Sequence, residues 1–441
     1  MTPIPAVDAS SWRQLKALRH DFFDYLAVAA RQGPLVRLQP TPWTAIHLVT
    51  GPALIEEILV RHPERYRKSQ MTRRLVARFL GEGLVLSEGE RHRRDRGLLQ
   101  PVFRSPRMAE FGPMLGLMAR SAIREWPQDE AIDFGQEMTT LTLSSLMLTL
   151  FGMQESEDSF GVIPAMRVFA DAIGSRFRSL PLPDWLPTPR HLAERRAIRQ
   201  VDHAINAIIH ARSLMQGGSD LVSRLLDAQD AEGGFSAQQV RDHLATLYFA
   251  GHETSAKLLT WAGALLAAYP AWQDELRKEL LSAGQGRLPP VATIEALPLL
   301  DAFFCEVLRL YPPAWLFDRQ TVAETSLGPF QLPVGTTLYL SPYLSQRSAE
   351  WHVQPESFDP GRFLGGVPAK PLAAYFPFGG GPRSCIGRAY AGTMVKATLA
   401  QILSSCELRP ADQQGIPNPR PSATLEPSRP VRLIAAPLLG R

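Results

Sequence analysis

The sequence predicts a mainly helical fold with small β-sheets gathered at one side, and three observations carry that expectation. Apolar residues recur at helical spacing along most of the chain up to about residue 310, the signature of helices that bury one face. Short β-branched and aromatic runs bounded by glycine or proline, such as Phe330-Gln-Leu332 and Thr336-Thr-Leu-Tyr-Leu340, are concentrated beyond that point. One helical segment, from Ser236 to about Tyr269, is long enough to cross the whole molecule. With 441 residues and 45% hydrophobic content the chain can bury a large core.

In chain order, residues 1–31 carry charges every few positions and hold no apolar run suited to a signal peptide or a membrane span. Leu35–Leu38 and Ala45–Val49 read as a strand pair. The proline-rich stretch Leu180–Arg190 reads as a loop between helices, because apolar helical spacing resumes at Leu192 and continues past Ile209. Ser236 and Gln239 form a possible capping box for the long helix, which Pro270 ends. Arg388–Leu403 is alanine-rich and reads as a helix, and Val431–Ile434 as a late strand. No repeat or low-complexity linker divides the chain, so one domain over 1–441 is expected, with its β-rich parts near 30–70, 315–375 and 420–435.

Composition excludes several classes. A net charge of +4 is spread along the chain rather than bunched with aromatics, so nucleic acid is not an expected partner. Cys305, Cys385 and Cys406 are odd in number and lack Cys-x-x-Cys spacing, which argues against a disulfide framework or a zinc site and fits a reducing cytoplasm. No glycine-rich phosphate loop follows a strand, so no built-in flavin or nicotinamide domain is expected.

Three motifs carry chemistry. In Phe378-Gly-Gly-Gly-Pro-Arg-Ser-Cys385-Ile-Gly387, glycines permit a tight turn close to a flat cofactor, and the positive end of the helix that follows would face the sulfur, lowering the thiol pKa and holding a thiolate. An isolated Cys-x-Gly is more often a buried structural cysteine; the full decapeptide favours a thiolate ligand if partner motifs exist. Ala250-Gly251-His252-Glu253-Thr254 interrupts the long helix with a glycine, an acid and a hydroxyl, suited to opening a polar groove, ordering water and relaying protons. Taken alone it is also an ordinary helix glycine beside a solvent-facing glutamate. Glu306 and Arg309 share a helix face at i, i+3 spacing, and Arg362 in Phe358-Asp-Pro-Gly-Arg362-Phe363 is placed to close a three-membered charge network with them.

Together these motifs resemble the cytochrome P-450 superfamily of haem-thiolate monooxygenases, in its soluble bacterial form. Phe378, Gly381, Arg383, Cys385 and Gly387 match the family's cysteine pattern; Ala250, Gly251, Glu253 and Thr254 match its oxygen-activating pattern; Glu306, Arg309 and Arg362 match its structural network. Gly361, where many members carry glutamate, and His252 in the varied slot of the oxygen pattern are departures of small weight. The resemblance spans essentially the whole chain, to a final hairpin around Ala423–Val431, and implies the family's triangular helical haem domain.

It further implies haem b with Cys385 as axial iron ligand, and His92, Arg96, Arg319 and Arg383, beside Phe378 and Gly387, as the residues that hold it. Ala250, Gly251, Glu253 and Thr254 would serve oxygen chemistry that inserts one atom of O2 into a hydrophobic substrate. Electrons are expected from an external ferredoxin or flavodoxin with its NAD(P)H-dependent reductase, docked by Arg93 and Arg94. By family position the substrate pocket takes in Met71–Val85, Phe169–Leu186, Thr246, Leu247, Ala314, Trp315, Leu316, Phe317, Ala423 and Thr424. The stretches Leu310–Trp315 and Ser341–Leu344 look similar to fatty-acid-hydroxylase-like members, which makes a long-chain fatty acid the expected substrate, with Arg73, Arg74 or Arg78 as carboxylate anchor. A terpene- or polyketide-tailoring oxidase is the alternative, and a non-catalytic haem sensor or carrier the alternative of another class. A monomer without membrane span is expected.

Overall fold

Local sequence signals and tertiary pairing divide the work of shaping the chain. The computed structural model describes residues 2–41, 44–152, 168, 186, 188–214, 220–230, 234–367 and 371–438. Several helices begin where a side chain can take an otherwise unpaired backbone N–H. Ser10, Ser69, Asp133, Thr188 and Ser236 cap the helices Ser11–His20, Gln70–Leu80, Phe134–Leu150, Pro189–Ser213 and Ala237–Ala268 in this way. The expected capping box is present in full: Ser236 Oγ accepts from Gln239 N at 3.3 Å and Gln239 Oε1 accepts from Ser236 N at 2.9 Å. Ala237–Ala268 runs 32 residues and is almost wholly buried beyond its first turn, which makes it the axis of the helical part. Phe134–Leu150 packs along it, and Arg388–Ser405 packs against both it and Ser105–Arg124.

The largest apolar cluster gathers Trp261, Phe303, Leu399 and Leu403 around the second half of this long helix. A second cluster surrounds its first half through Leu244, Tyr248, Leu146 and Ile205. The five-stranded sheet has the spatial order Leu35–Thr41, Thr44–Val49, Thr337–Leu340, Phe317–Thr321, Tyr66–Arg67. The first two strands pair antiparallel with Leu38 opposite Ile46, and Thr44–Val49 runs parallel to Thr337–Leu340 with Leu48 opposite Tyr339. Ala131–Asp133, Arg432–Pro437 and Cys406–Pro410 make a three-stranded sheet.

The expected elements at 35–49, 330–332, 336–340, 388–403 and 236–269 are present within a few residues. Phe317–Thr321 is a strand that periodicity does not reveal, because it carries Asp318 and Arg319 and becomes extended by pairing with Thr337–Leu340. The final hairpin is Pro419–Pro421 with Leu425–Pro427 rather than 423–431, and Arg432–Pro437 beyond it joins the other sheet. Much of the expected loop at 180–190 lies outside the described residues.

The helix Pro298–Leu310 is bound to the segment before the cysteine loop by buried charge. Arg309 Nε and Nη2 donate to the Glu306 carboxylate at 2.6 and 2.8 Å, with both side chains fully buried. Arg309 also donates to the carbonyls of Gln346, Pro355 and Ser357. Arg362 Nε lies 3.6 Å from Glu306 Oε1, and its other nitrogens donate to Val353 O and Gln354 O. The anticipated three-membered network is therefore closed.

Candidate cofactor and oxygen site

A helix turns 100° per residue, so Leu247, Ala250, Gly251, Thr254, Ser255 and Leu258 fall on one stripe of the long helix. These six line one wall of a cavity of about 280 Å³. Phe378, Gly379, Cys385, Ile386 and Gly387 form the facing wall, Pro313, Ala314 and Phe317 a third side, and Lys68, Arg319 and Arg383 a cationic edge. Phe103 and Leu150 also reach the lining.

The cysteine loop is a series of tight turns. Gly379 and Gly381 have φ of 69° and 64°, a left-handed conformation that glycine adopts without strain. At Gly381 a Cβ would meet Leu59 O at 1.8 Å, so the loop also needs glycine for contact with its neighbour. Cys385 N donates to Phe378 O at 2.9 Å, and the sulfur stands bare to the cavity, just before the helix Arg388–Ser405. Cys305 and Cys406 are buried in apolar core, which pushes their thiols up to about 11 and about 12. Burial also raises the Cys385 thiol, while the Gly387 amide and the Arg96 and Arg388 guanidinium groups pull it down. The helix end alone therefore does not produce the expected lowered thiol; a thiolate at this place needs a bound cation as its counter-charge.

The cationic edge supplies the test of fit for haem, whose carboxylates would lie there. Burial, then the Arg319 charge, lowers Lys68 to about 7, and burial, then Arg383, lowers Arg319 to about 10. Three cations meet with little compensating negative charge beyond Glu88, which pairs with Arg383, and Asp318. A dianionic cofactor edge would relieve that strain. Arg96 Nη1 donates to Ser384 O at 2.7 Å and so braces the cysteine loop, while burial holds His92 neutral, at about 4. Neither His92 nor Arg96 is in the cavity lining of the described residues. Lys68 has no periodic or motif signal in the sequence; its role becomes visible only when its segment is folded against Arg319.

The lysine carries a pH prediction. Without cofactor, Lys68 binds fewer protons folded than unfolded between about 7 and its ordinary value of 10.5. Stability of the haem-free chain is thus expected to rise with pH across that window. Denaturant melts at several pH values check this, and Lys68→Met is expected to flatten the slope.

Several expected site residues lie elsewhere. Glu253 and Thr246 are off the cavity stripe of the helix. Thr246 points at Gly83, where a Cβ would sit 2.2 Å from its Oγ1. Trp315 is in an aromatic cluster with Phe22 and Phe23 and donates from Nε1 to Ser422 O at 3.1 Å. Leu316 packs beside that same cluster, Ala423 against the core around the first half of the long helix, and Thr424 donates to Glu253. Residues 71–85 do not reach the described lining, and residues 169–185 lie outside the described residues. The long helix is helical through 250–254, so no local opening is seen. Gly251 instead allows close helix crossing, since a Cβ there would lie 2.7 Å from Leu146 Cδ1. His252 faces away from the cavity, with Nδ1 2.9 Å from Tyr248 O. Two proposed carboxylate anchors are already engaged: Arg73 by Glu82 and Leu86 O, Arg78 by Glu194. In the proposed docking patch Arg93 pairs with Glu90, and Arg94 pairs with Asp95 and covers Phe235, so much of its charge is compensated locally. Among the described residues no His/Cys/Asp/Glu cluster could hold a further metal, and no helix is long and apolar enough to cross a membrane.

A single thiol on one wall of an apolar cavity, a helix hydroxyl on the other and cations for two carboxylates at the edge are the attributes of a haem-thiolate protein. The sequence profile described as Cytochrome P450 matches residues 2–434, and the chain belongs to that family of monooxygenases. Members use haem with a cysteine thiolate ligand, O2, a hydrophobic substrate and a redox partner. The cyclooctatin synthase of Streptomyces melanosporofaciens is 32% identical over 425 residues, covering 94% of this chain and 91% of the relative. The cyclooctat-9-en-7-ol 5-monooxygenase of the same organism is 31% identical over 393 residues, covering 88% and 85%. The pentalenene oxygenase of Streptomyces avermitilis is 29% identical over 411 residues, covering 91% and 89%.

Proposed function

We propose that this chain hydroxylates or epoxidises a terpene-type hydrophobic substrate, with Cys385 as axial ligand of haem and Arg319, Arg383 and Lys68 holding the haem carboxylates. The observation that carries the ligand assignment is that Cys385, alone of the three cysteines, stands bare to the cavity, opposite Thr254. When bound, haem supplies the iron at which dioxygen is activated, the thiolate favouring O–O cleavage. The overall reaction takes substrate, O2, two electrons and two protons to oxygenated substrate and water.

The protein's own part is placement and protons. Thr254 Oγ1 donates to Ala250 O at 2.8 Å, which leaves its lone pairs free to accept from water in the cavity. Leu247, Leu258, Ala314 and Phe317 exclude bulk water and match an apolar substrate. The same network of Arg96 and the glycine turns holds the sulfur in place. Electrons come from a redox partner, as in other members of the family, and we take it to be a ferredoxin on the strength of the bacterial relatives.

The choice of a terpene over a fatty acid is supported by the relatives, named for cyclooctatin, cyclooctat-9-en-7-ol and pentalenene. It is also supported by the prior engagement of Arg73 and Arg78, which leaves a fatty carboxylate without either as anchor. Titrating the ferric enzyme with cyclic terpene hydrocarbons and alcohols is expected to convert the haem from low to high spin, with long-chain fatty acids giving none. Conversion by fatty acids alone overturns the substrate assignment.

A further inference from the structure

We propose that Thr424, at the tip of the hairpin Pro419–Pro421 and Leu425–Pro427, is a positioning residue for Glu253, and that Lys257, Glu426 and Arg420 form the solvent-side path through which this carboxylate regains protons. The proposal rests on the reading of Glu253 as a proton carrier for the oxygen site and says how the carrier is held and recharged.

The helix geometry is the starting point. Thr254 is on the cavity stripe, but Glu253, one residue earlier, is rotated 100° from it and buried against the hairpin. Its Oε1 accepts a hydrogen bond from Thr424 Oγ1 at 3.1 Å. Lys257 Nζ, one turn further along, lies 3.7 Å from the same oxygen and 3.8 Å from Glu426 Oε1. Arg420 Nη2 in turn donates to Glu426 Oε2 at 2.6 Å. Side-chain exposure is 11% at Glu253, 22% at Lys257, 14% at Glu426 and 48% at Arg420, so the row of charges runs from a buried acid to an arginine that reaches water.

Thr424 is the hydrogen-bond donor at the inner end. His252 does not substitute for it: burial keeps the imidazole neutral, Nδ1 is satisfied against Tyr248 O with its proton there, and Nε2 stands 4.0 Å from Glu253 Oε2 with a lone pair. Lys257 is at ion-pair rather than hydrogen-bond distance. Thr424 is itself held still, because the next residue is pinned twice: Trp261 Nε1 donates to Leu425 O at 3.0 Å and Leu425 N donates to Pro313 O at 3.0 Å. Pro313 lines the cavity. The hairpin thus fixes the carboxylate relative to both the helix that carries it and the cavity it serves. In each proton delivery the carboxylate first takes a proton from water at the Lys257–Glu426 end and then gives it up toward cavity water, ending again as the carboxylate.

The experiment uses the haem-loaded enzyme with substrate and reductant. Glu253→Gln serves as reference: difference infrared spectroscopy against it identifies the Glu253 carboxylate band. Thr424→Val keeps the shape and removes the hydroxyl. It is expected to shift that band and to raise hydrogen peroxide released per electron about three- to tenfold, the equivalent of one lost hydrogen bond. Thr424→Ser is expected to restore both. A Thr424→Val enzyme with the parent's band position and peroxide yield overturns the positioning role, as does a Thr424→Ser enzyme that shows the valine variant's defects. Failure of the underlying reading is separate: it would appear as Glu253→Gln leaving peroxide yield and solvent isotope effect unchanged.

Discussion

Cys385→Ser is expected to abolish the red-shifted Soret band of the reduced, carbon-monoxide-bound protein and all monooxygenase turnover. Serine preserves the size of the side chain and the Cys385 N to Phe378 O hydrogen bond that builds the turn, so the loop itself has no reason to collapse. What is lost is the electron-donating sulfur. Cys305→Ser and Cys406→Ser are the controls. Both thiols are in apolar core away from the cavity, and their replacement is expected to leave the band in position. A red-shifted band retained by Cys385→Ser would remove the ligand assignment and with it the proposed function.

Arg309→Leu is expected to give the largest loss of stability, about 3–5 kcal/mol, because it takes away both hydrogen bonds that Glu306 receives from a cation and leaves its buried charge to the longer Arg362 contact at 3.6 Å. The carbonyls of Gln346, Pro355 and Ser357 also lose their donor. Against the roughly 5–15 kcal/mol that holds a typical domain folded, little haem protein should accumulate. Arg362→Leu is expected to be milder, since Arg362 is 3.6 Å from Glu306 and partly exposed. Denaturant midpoints and the yield of carbon-monoxide-reactive protein measure both. Equal stability of the Arg309→Leu and parent proteins would show that the buried network does not hold the loop.

Much of the architecture was legible because its signals are local. The capping box at Ser236–Gln239, the apolar spacing of 237–268 and the glycine turns before Cys385 each depend on residues near one another in sequence, and each appears in the structure where expected. The Glu306–Arg309 pair was legible for the same reason. The strand Phe317–Thr321 was not, because its extended form comes from a partner twenty residues away. The substrate side was read in part: Leu247, Ala314 and Phe317 line the cavity, while Trp315, Leu316 and Ala423 pack in the core, Thr246 faces Gly83 and Thr424 meets Glu253. Part of this was accessible in principle. Starting from Gly251 and Thr254, the helical period selects Leu247, Ser255 and Leu258 and rejects Thr246 and Glu253.

The sequence by itself determined the class of chemistry, because a cysteine among glycines, an acid–alcohol pair in a helix and a Glu-x-x-Arg pair are covalently fixed neighbours. Only the tertiary structure decided which way those neighbours face and whom they meet. It brought Lys68 to Arg319 and Arg383, engaged Arg73 and Arg78 elsewhere, and set Thr424 against Glu253 across 171 positions of chain. Side-chain direction depends on helix phase and strand pairing, and contacts between distant segments depend on the packing of the whole core, neither of which a short motif contains.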